Sequence, residues 1–356
     1  MTTTPKTLAD HLLNRIHANG PITLSDYMAE ALMHPTFGYY ATRDPLGAAG
    51  DFTTAPEISQ MFGELIGLSL AQAWLDQGQP TPFTLAELGP GRGTLMADIL
   101  RATVNVPGFA NAAQIHFVET SATLRAEQAK RVPNATWHDN ITSLPDQPLF
   151  LVANEFFDAL PIRQFHRDTG GWREVQVGAQ NGTLAAGLSA AAPIEMLDHR
   201  LDDTKTGDIV ETCPALPAIT AQIATRIADD GGTAIIIDYG DWHSQGDTLQ
   251  ALKDHAPTDP FHAPGTADIT AHVDFEVIAQ NAAPAKYSRV TPQGVFLERL
   301  GITQRAQSLA NALSGSALDA HIAAHRRLTH PEEMGSLFKV IALYPEGATP
   351  PAGLEA

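Results

Sequence analysis

The chain has 356 residues, 44% hydrophobic and 17% charged, which is typical of a globular protein with room for one large domain or a domain with an insertion. Asp and Glu outnumber Lys and Arg by 40 to 22, and the net charge of −18 disfavours general binding to nucleic acid or anionic membranes. The single cysteine, Cys213, excludes an internal disulfide and a cysteine zinc cage. No apolar run is long enough to span a membrane, and residues 1–13 lack a secretory pattern, so we expect a cytoplasmic protein without a membrane partner.

The N-terminal part predicts helices. Residues 6–33 read as two short helices interrupted at Gly20-Pro21, with Ser25 as the N-cap of the second. Residues 34–59 contain an aromatic turn and a Gly-Asp-Phe segment, and their composition is equally compatible with an irregular N-terminal cap. From about residue 57 to 76, apolar positions recur at helical spacing, which predicts a helix that packs in the core.

The next segment predicts a buried strand, a glycine turn and a helix. Residues 82–86 form the strand, and apolar positions from Thr94 onward have helical spacing. Gly89, Gly91 and Gly93 let the backbone turn sharply and let a ligand approach without meeting a Cβ atom. The helix beginning near Thr94 directs N–H groups and its positive dipole end toward the turn. This segment therefore predicts a ligand site, although glycines needed only for packing would give a similar pattern.

Two ligand classes use such a turn, and two residues separate them. The dinucleotide fingerprint Gly-x-Gly-x-x-Gly fails here, because Thr94 stands three residues after Gly91. Glu87, two residues before the first glycine, would repel a pyrophosphate. It suits a ligand that carries an ammonium and a sulfonium, which is S-adenosylmethionine (SAM). Thr94 and Glu87 therefore disfavour an NAD-dependent oxidoreductase and favour a SAM site.

A second acid follows the next predicted strand. Residues 114–118 read as a parallel strand, and Glu119 stands at its carboxyl end, where nucleotide-binding α/β folds often place an acid on the ribose hydroxyls. A solvated glutamate at the strand end explains the spacing equally well. Glu87, the glycines and Glu119 together favour SAM.

The next strand ends in polar residues too. Residues 149–153 form an apolar run typical of a fully buried strand, which places Asn154 and Glu155 at the carboxyl edge of the sheet. If residues 155–160 turn helically, Glu155 and Asp158 share a face and form paired carboxylates. Such a pair would hold an arginine guanidinium and help to remove its proton. The alternative is that Asn154 caps a short helix and the acids are solvated.

The remaining chain predicts an insertion followed by the rest of the core. Gly170-Gly171 and Asn181-Gly182 signal hairpins between residues 161 and 188, and residues 214–229 are helical. A buried strand over residues 232–240 is followed by a Pro-, Gly- and His-rich segment over 241–267, which we expect to be a lid or substrate loop. The alanine-rich spacing over residues 303–328 predicts helix, and residues 337–344 are expected to form a closing strand. The histidine spacings match no common metal pattern, so no metal is expected.

Several segments together closely resemble the MidA family of SAM-dependent methyltransferases, whose mitochondrial members are complex I assembly factors. These segments are residues 50–64, 87–93, 154–161, 237–240, 268–275 and 334–340. The resemblance implies a protein arginine side chain as methyl acceptor, with a respiratory complex I subunit as the candidate protein. It also implies cofactor contacts beyond Glu87, the glycines and Glu119, at Phe52, Thr53, Asp139 and Asn140, where Asp139 would meet the adenine amino group.

We therefore expect an α/β fold with a Rossmann-like, seven-stranded class I methyltransferase sheet, an N-terminal helical cap and an antiparallel β/helical insertion. The expected parts are a cap (1–80), the SAM-binding half of the core (81–160), the insertion (161–230), the remaining core with its lid loop (231–345) and a loose tail (346–356). The expected catalytic residues are Asn154, Glu155 and Asp158. A SAM-binding assembly protein without turnover and a small-molecule methyltransferase remain alternatives, and the oligomeric state is open, a homodimer included.

Overall fold

The computed structural model describes residues 5–42 and 54–356. Its helices are α1 (Leu8–Asn19), α2 (Leu24–Met33), α3 (Tyr39–Thr42), α4 (Ala55–Ile58), α5 (Gln60–Asp76), α6 (Thr94–Thr103), α7 (Phe109–Ala112), α8 (Ala122–Arg131), α9 (Leu216–Asp230), α10 (Phe275–Gln280), α11 (Gln293–Arg299), α12 (Ile302–Ala310), α13 (Gly315–Thr329) and α14 (Met334–Leu337). Within these described ranges, none of the helices has the length and apolar character that crossing a membrane requires.

The strands are β1 (Ile22–Thr23), β2 (Phe83–Leu88), β3 (Ala113–Val118), β4 (Thr136–His138), β5 (Leu149–Asn154), β6 (Arg163–Asp168), β7 (Gly171–Gln180), β8 (Thr183–Leu188), β9 (Ile209–Thr212), β10 (Gly232–Asp241), β11 (Gln250–Lys253), β12 (Ala256–Thr258), β13 (Asp268–Thr270), β14 (Val273–Asp274), β15 (Lys286–Tyr287), β16 (Thr291–Pro292) and β17 (Phe338–Tyr344). Contacts divide the chain into two compact units. The first unit draws on Met1–Phe52, Asp158–Leu216 and His243–Asp274, and the second on Thr53–Phe157, Pro217–Trp242 and Phe275–Ala356.

The second unit contains the central sheet, whose main path runs β15-β17-β10-β5-β2-β3-β4. The strands from β10 to β4 are parallel, whereas β17 is antiparallel to both β10 and β15. Every residue of β2 and β5 is buried, as expected for parallel strands covered on both faces. This mixed, mostly parallel sheet with flanking helices confirms the predicted class I methyltransferase fold.

Helices α5 and α6 cover one face of this sheet. Their apolar side chains pack against inward-facing residues of four strands, which form the main hydrophobic core: Phe83, Leu85, Phe117, Val152, Ile235 and Ile237. The strand order reverses beside β2, since β3 lies on one side of it and β5 on the other. Open α/β sheets place their ligands at the carboxyl ends of the strands at such a switch point. The fold therefore directs attention to the residues that follow β2 and β5.

The first unit has two antiparallel sheets and its own core. One sheet has the order β1-β7-β6-β9 with β8 paired to β7, and the other has the order β12-β11-β13. The predicted hairpins are confirmed. The two-residue loop Asn181-Gly182 joins β7 to β8, with φ of 52° and 81°, the left-handed values that such a tight turn requires. Part of the expected lid loop forms the pair of strands β11 and β12.

Three helix predictions need correction. Thr23, not Ser25, caps α2, because its hydroxyl accepts the Asp26 N–H at 3.0 Å. The helix expected over residues 57–76 is interrupted at Ser59, which is extended and whose hydroxyl caps α5. The helix expected over residues 303–328 is also two helices, α12 and α13.

In the tail after Pro345, the Ala352 carbonyl accepts the Ser69 hydroxyl at 2.8 Å and Arg299 pairs with Glu355.

Candidate active site

The glycine turn lies between the end of β2 and the start of α6, as predicted. Gly89, Gly91 and Gly93 have φ of 58°, 51° and 76°, in the left-handed region that favours glycine. A Cβ atom at Gly89 would approach Phe156 Cδ2 to 3.0 Å. Gly93 is the N-cap of α6 and has no side chain to cap it. The turn can therefore bring backbone close to a ligand at the positive end of α6.

Glu87 is a buried carboxylate with an oxygen to spare. Its side chain is only 3% exposed, and it accepts a hydrogen bond from the Met96 N–H in the first turn of α6. Oε2 has no hydrogen-bond partner among the described residues. Burial raises the pKa of Glu87 to about 8, because nearby charge does not compensate the loss of solvent. A cationic ligand group would supply that compensation.

The sheet register brings Glu119 and Asn154 to the face that carries Glu87. Glu87 pairs with Phe117 on β3 and with Val152 on β5. Glu119 and Asn154 lie two residues further along those strands, and alternation of side chains puts all three on one face. Asn154 is 8% exposed, and its Oδ1 also lacks a partner among the described residues. Two buried acceptors thus lie at the switch point.

Glu119 is held in place by hydrogen bonds that the sequence did not reveal. Its carboxylate accepts the Ser121 N–H at 2.7 Å and the Gln128 amide at 3.3 Å, while burial raises its pKa. The same Gln128 amide donates to the Gly91 carbonyl at 2.7 Å, and Gln128 Oε1 accepts the Trp137 N–H at 2.7 Å. Gln128, fully buried on α8, therefore joins the glycine turn to Glu119.

Asp139 and Asn140 follow β4, at the same edge of the sheet. Arg125 donates to Asp139 Oδ1 at 2.6 Å and to the Glu119 carbonyl at 2.7 Å. The Asp139 side chain is 78% exposed. Asn140 accepts a hydrogen bond from the Thr142 hydroxyl. Phe52 and Thr53, which the family resemblance placed at the cofactor, lie outside the described residues.

The predicted helical turn over residues 155–160 does not form. Glu155 has φ of 52°, which is left-handed and ends the strand in a sharp turn. Buried Asp238 accepts the N–H of Phe157 at 3.0 Å and that of Tyr239 at 2.9 Å. This side chain, for which the sequence predicted no role, fixes the loop in a non-helical path. Glu155 and Asp158 belong to different units. A shared helical face is therefore the wrong description of this pair.

Asp158 lies in a buried acidic cluster of the first unit. The Tyr40 hydroxyl donates to Asp268 Oδ1 at 3.2 Å, and the Asp158 carbonyl accepts the Ala271 N–H at 3.0 Å. Burial, then the charges of Asp268 and Asp158, raise the pKa of Tyr40 well above its usual range. This cluster joins three segments that are distant in sequence.

One group of side chains in the described chain has the spacing of metal ligands. Ligand atoms of His11, Glu30 and His34 lie within 4.8 Å of one another. However, His34 Nδ1 already accepts the N–H groups of Thr36 and Phe37, both at 3.1 Å, so this ring nitrogen is occupied by backbone hydrogen bonds. Glu30 already pairs with an arginine at 3.2 Å. These contacts disfavour a metal at this position.

The geometry fits SAM. A buried carboxylate with a spare oxygen suits its ammonium, the glycine turn admits close approach, and the acid after β3 suits ribose hydroxyls. Residues 65–292 match a family model described as "Putative S-adenosyl-L-methionine-dependent methyltransferase". A solved structure from Burkholderia thailandensis, described as a "likely methyl transferase" bound to S-adenosyl-homocysteine, is similar to this chain with a TM-score of 0.84. It is 30% identical, and the match covers 97% of this chain and 93% of that one.

Curated relatives extend the match along the chain. Protein arginine methyltransferase NDUFAF7, mitochondrial, of Homo sapiens is 37% identical, and the match covers 94% of this chain and 82% of the relative. The homologue in Drosophila melanogaster is 36% identical, with 95% and 85% covered. The expected cytoplasmic location is contradicted, since these relatives are named mitochondrial, and the missing secretory pattern had supported it only by default. The chain belongs to the MidA family of SAM-dependent methyltransferases, as the sequence resemblance implied.

Proposed function

We propose that this methyltransferase acts on an arginine side chain of a protein. The observation that carries the proposal is the name protein arginine methyltransferase, shared by relatives that are 36% and 37% identical over 95% and 94% of this chain. An alignment over almost the whole chain favours the same class of acceptor. Carried over from the family resemblance, the finer proposal is that the acceptor protein is a subunit of respiratory complex I.

The residues proposed to bind the methyl donor, SAM, all belong to the second unit. Glu87 Oε2 accepts from the ammonium, Gly89, Gly91 and Gly93 line the turn, and Glu119 accepts from the ribose. Asp139 and Asn140 lie toward the adenine. SAM supplies a methyl group already activated by its sulfonium, so the protein has mainly to align the acceptor and exclude water.

The acceptor arginine carries a positive charge, which the protein must compensate when the side chain binds. A guanidinium that leaves water is stabilised by carboxylates that accept its N–H groups. Asp158 offers one, and Asp268 and Tyr40 add negative and hydrogen-bonding groups around it. We therefore keep Asp158 as the residue proposed to accept the N–H groups of the guanidinium.

The test is label transfer from methyl-labelled SAM. The protein is incubated with extracts or purified proteins that include complex I subunits, and the labelled protein is hydrolysed to amino acids. We expect label in methylarginine, and at least a tenfold loss with Asp158→Asn. Label in methyl-lysine or in small molecules would overturn the arginine proposal. A protein that binds SAM but never transfers label would be a binding or assembly protein.

A further inference from the structure

The short helix α4 is attached at both ends to the donor site by acidic side chains. At its start, the Ala55 N–H donates to Glu155 Oε1 at 3.1 Å. Near its end, the Glu57 carboxylate accepts the hydroxyl of Thr94, the first residue of α6 after the glycine turn. All four residues belong to the second unit. Helix α4 thus connects the carboxyl end of β5 with the start of α6.

Glu155 also determines how Asn154 presents its amide. The Asn154 Nδ2 group donates to the same Oε1 atom of Glu155, at 3.0 Å. Because the amide nitrogen is engaged there, the amide oxygen must point the other way, and it is this oxygen that lacks a partner among the described residues. It lies on the sheet face that carries Glu87. Glu155 therefore orients the Asn154 Oδ1 atom so that it can accept a hydrogen bond from bound SAM.

The backbone at Glu155 supports a role for its side chain. Its φ of 52° would suit glycine or asparagine better than glutamate. The Glu155 N–H donates to the Ile237 carbonyl at 3.0 Å, so the unfavourable conformation is held by the sheet. A glutamate at such a position is consistent with a carboxylate that must reach both Ala55 and Asn154.

We propose that Glu155 is a positioning residue, which orients Asn154 Oδ1 toward SAM and, through α4 and Glu57, couples it to the glycine turn. It would act through these groups and not by removing a proton from the acceptor, the role that the sequence suggested. The inference rests on the donor site of the proposed function, but it does not depend on which acceptor is methylated.

Two substitutions separate the roles. Glu155→Gln keeps an oxygen that accepts from Ala55 and Asn154 but removes the charge. Glu155→Gly removes the side chain, and glycine suits the left-handed backbone, so the substitution introduces no backbone strain at this position. Calorimetry with S-adenosylhomocysteine gives Kd without any methyl acceptor, and steady-state assays give kcat and KM. The control is Glu127→Ala, at a partly exposed position of α8 where the side chain pairs with Lys130.

We expect Glu155→Gly to raise Kd at least tenfold, and Glu155→Gln to stay within threefold of the parent in both Kd and kcat. If both variants keep the parent Kd and lose kcat equally, the charge acts in catalysis and the positioning role is overturned. Should the parent chain not bind S-adenosylhomocysteine at all, the proposed function fails before this inference is reached.

Coupling through α4 has its own test. Glu57→Ala and Glu155→Gly each remove one of the two side-chain contacts that hold α4. If the two contacts act together, the double variant should have a Kd within about twofold of that of the single variant that binds more weakly. A Kd that multiplies the two single effects would mean that the residues act independently and would overturn the coupling.

Discussion

Two buried glutamates of the second unit, Glu64 on α5 and Glu87 on β2, have opposite electrostatic surroundings. Glu64 accepts from Arg305 at 2.8 Å and from Arg101 at 3.1 Å, and these guanidinium groups lower its pKa despite burial. Glu87 has only a backbone N–H, and burial raises its pKa to about 8. The first carboxylate is neutralised within the fold, whereas the second still needs a cation. The difference shows how a ligand site can be recognised among structural charges.

The largest expected effect is on ligand binding at the glycine turn. Gly91→Val places a β-branched side chain at a φ of 51°, in the turn that is proposed to bind SAM. We expect S-adenosylhomocysteine affinity to fall more than about 100-fold, or about 2.7 kcal/mol, in calorimetry. Gly78→Val is the matched control, since Gly78 has a φ of 85° and a Cβ there would meet nothing within 4 Å. Equal affinity losses in both variants would remove the turn from the site.

Neutralising Glu87 should stabilise the unliganded protein and weaken binding. Its folded pKa of about 8 lies above the ordinary value of 4.5, so stability from this group is greatest below pH 4.5 and is lost as the pH rises toward 8. At about 1.4 kcal/mol per unit, the cost near pH 7 is roughly 3 kcal/mol. Denaturation of Glu87→Gln between pH 5 and pH 8 should show a gain that grows with pH. A gain that is constant with pH would contradict the raised pKa.

Removing Glu64 should destabilise the protein, the opposite of the effect expected for Glu87→Gln. Glu64→Ala leaves Arg101 and Arg305 without their shared carboxylate, and we expect a loss of about 2 kcal/mol in urea unfolding at pH 7. Because its folded pKa is lowered, this contribution is present at neutral pH and is lost as the pH falls through the folded pKa. S-adenosylhomocysteine affinity should stay within threefold of the parent. A strong effect on affinity without one on stability would mean that Glu64 is not structural.

The smallest effect is expected at the exposed edge of the site. Asp139 pairs with Arg125, but its side chain is largely exposed, so Asp139→Ala should cost less than about 1 kcal/mol of stability. If Asp139 meets the adenine amino group, S-adenosylhomocysteine should bind a few-fold more weakly, while methionine-type fragments without adenine should bind as before. An unchanged affinity for S-adenosylhomocysteine would remove Asp139 from the site.

The sequence predicted the parts of the site that depend on local patterns. Each of the buried strands, like the glycine turn with Glu87 and the acid after β3, is indicated by its own short stretch of chain, in which spacing and residue type are informative. It did not predict Gln128, Asp238 or the contact between Ala55 and Glu155, because these hydrogen bonds join residues from 9 to 100 positions apart. Extended Ser59 interrupted a helix whose apolar periodicity continues through it.

The claim that Glu87 binds the ammonium of SAM is tested most directly by proton release on binding. At pH 7 a carboxyl with a pKa of about 8 is mostly protonated, and a bound cation lowers that pKa. Calorimetry of SAM binding in buffers with different ionisation enthalpies should show about one proton released by the parent protein and almost none by Glu87→Gln. Equal proton release by the two proteins would contradict the account.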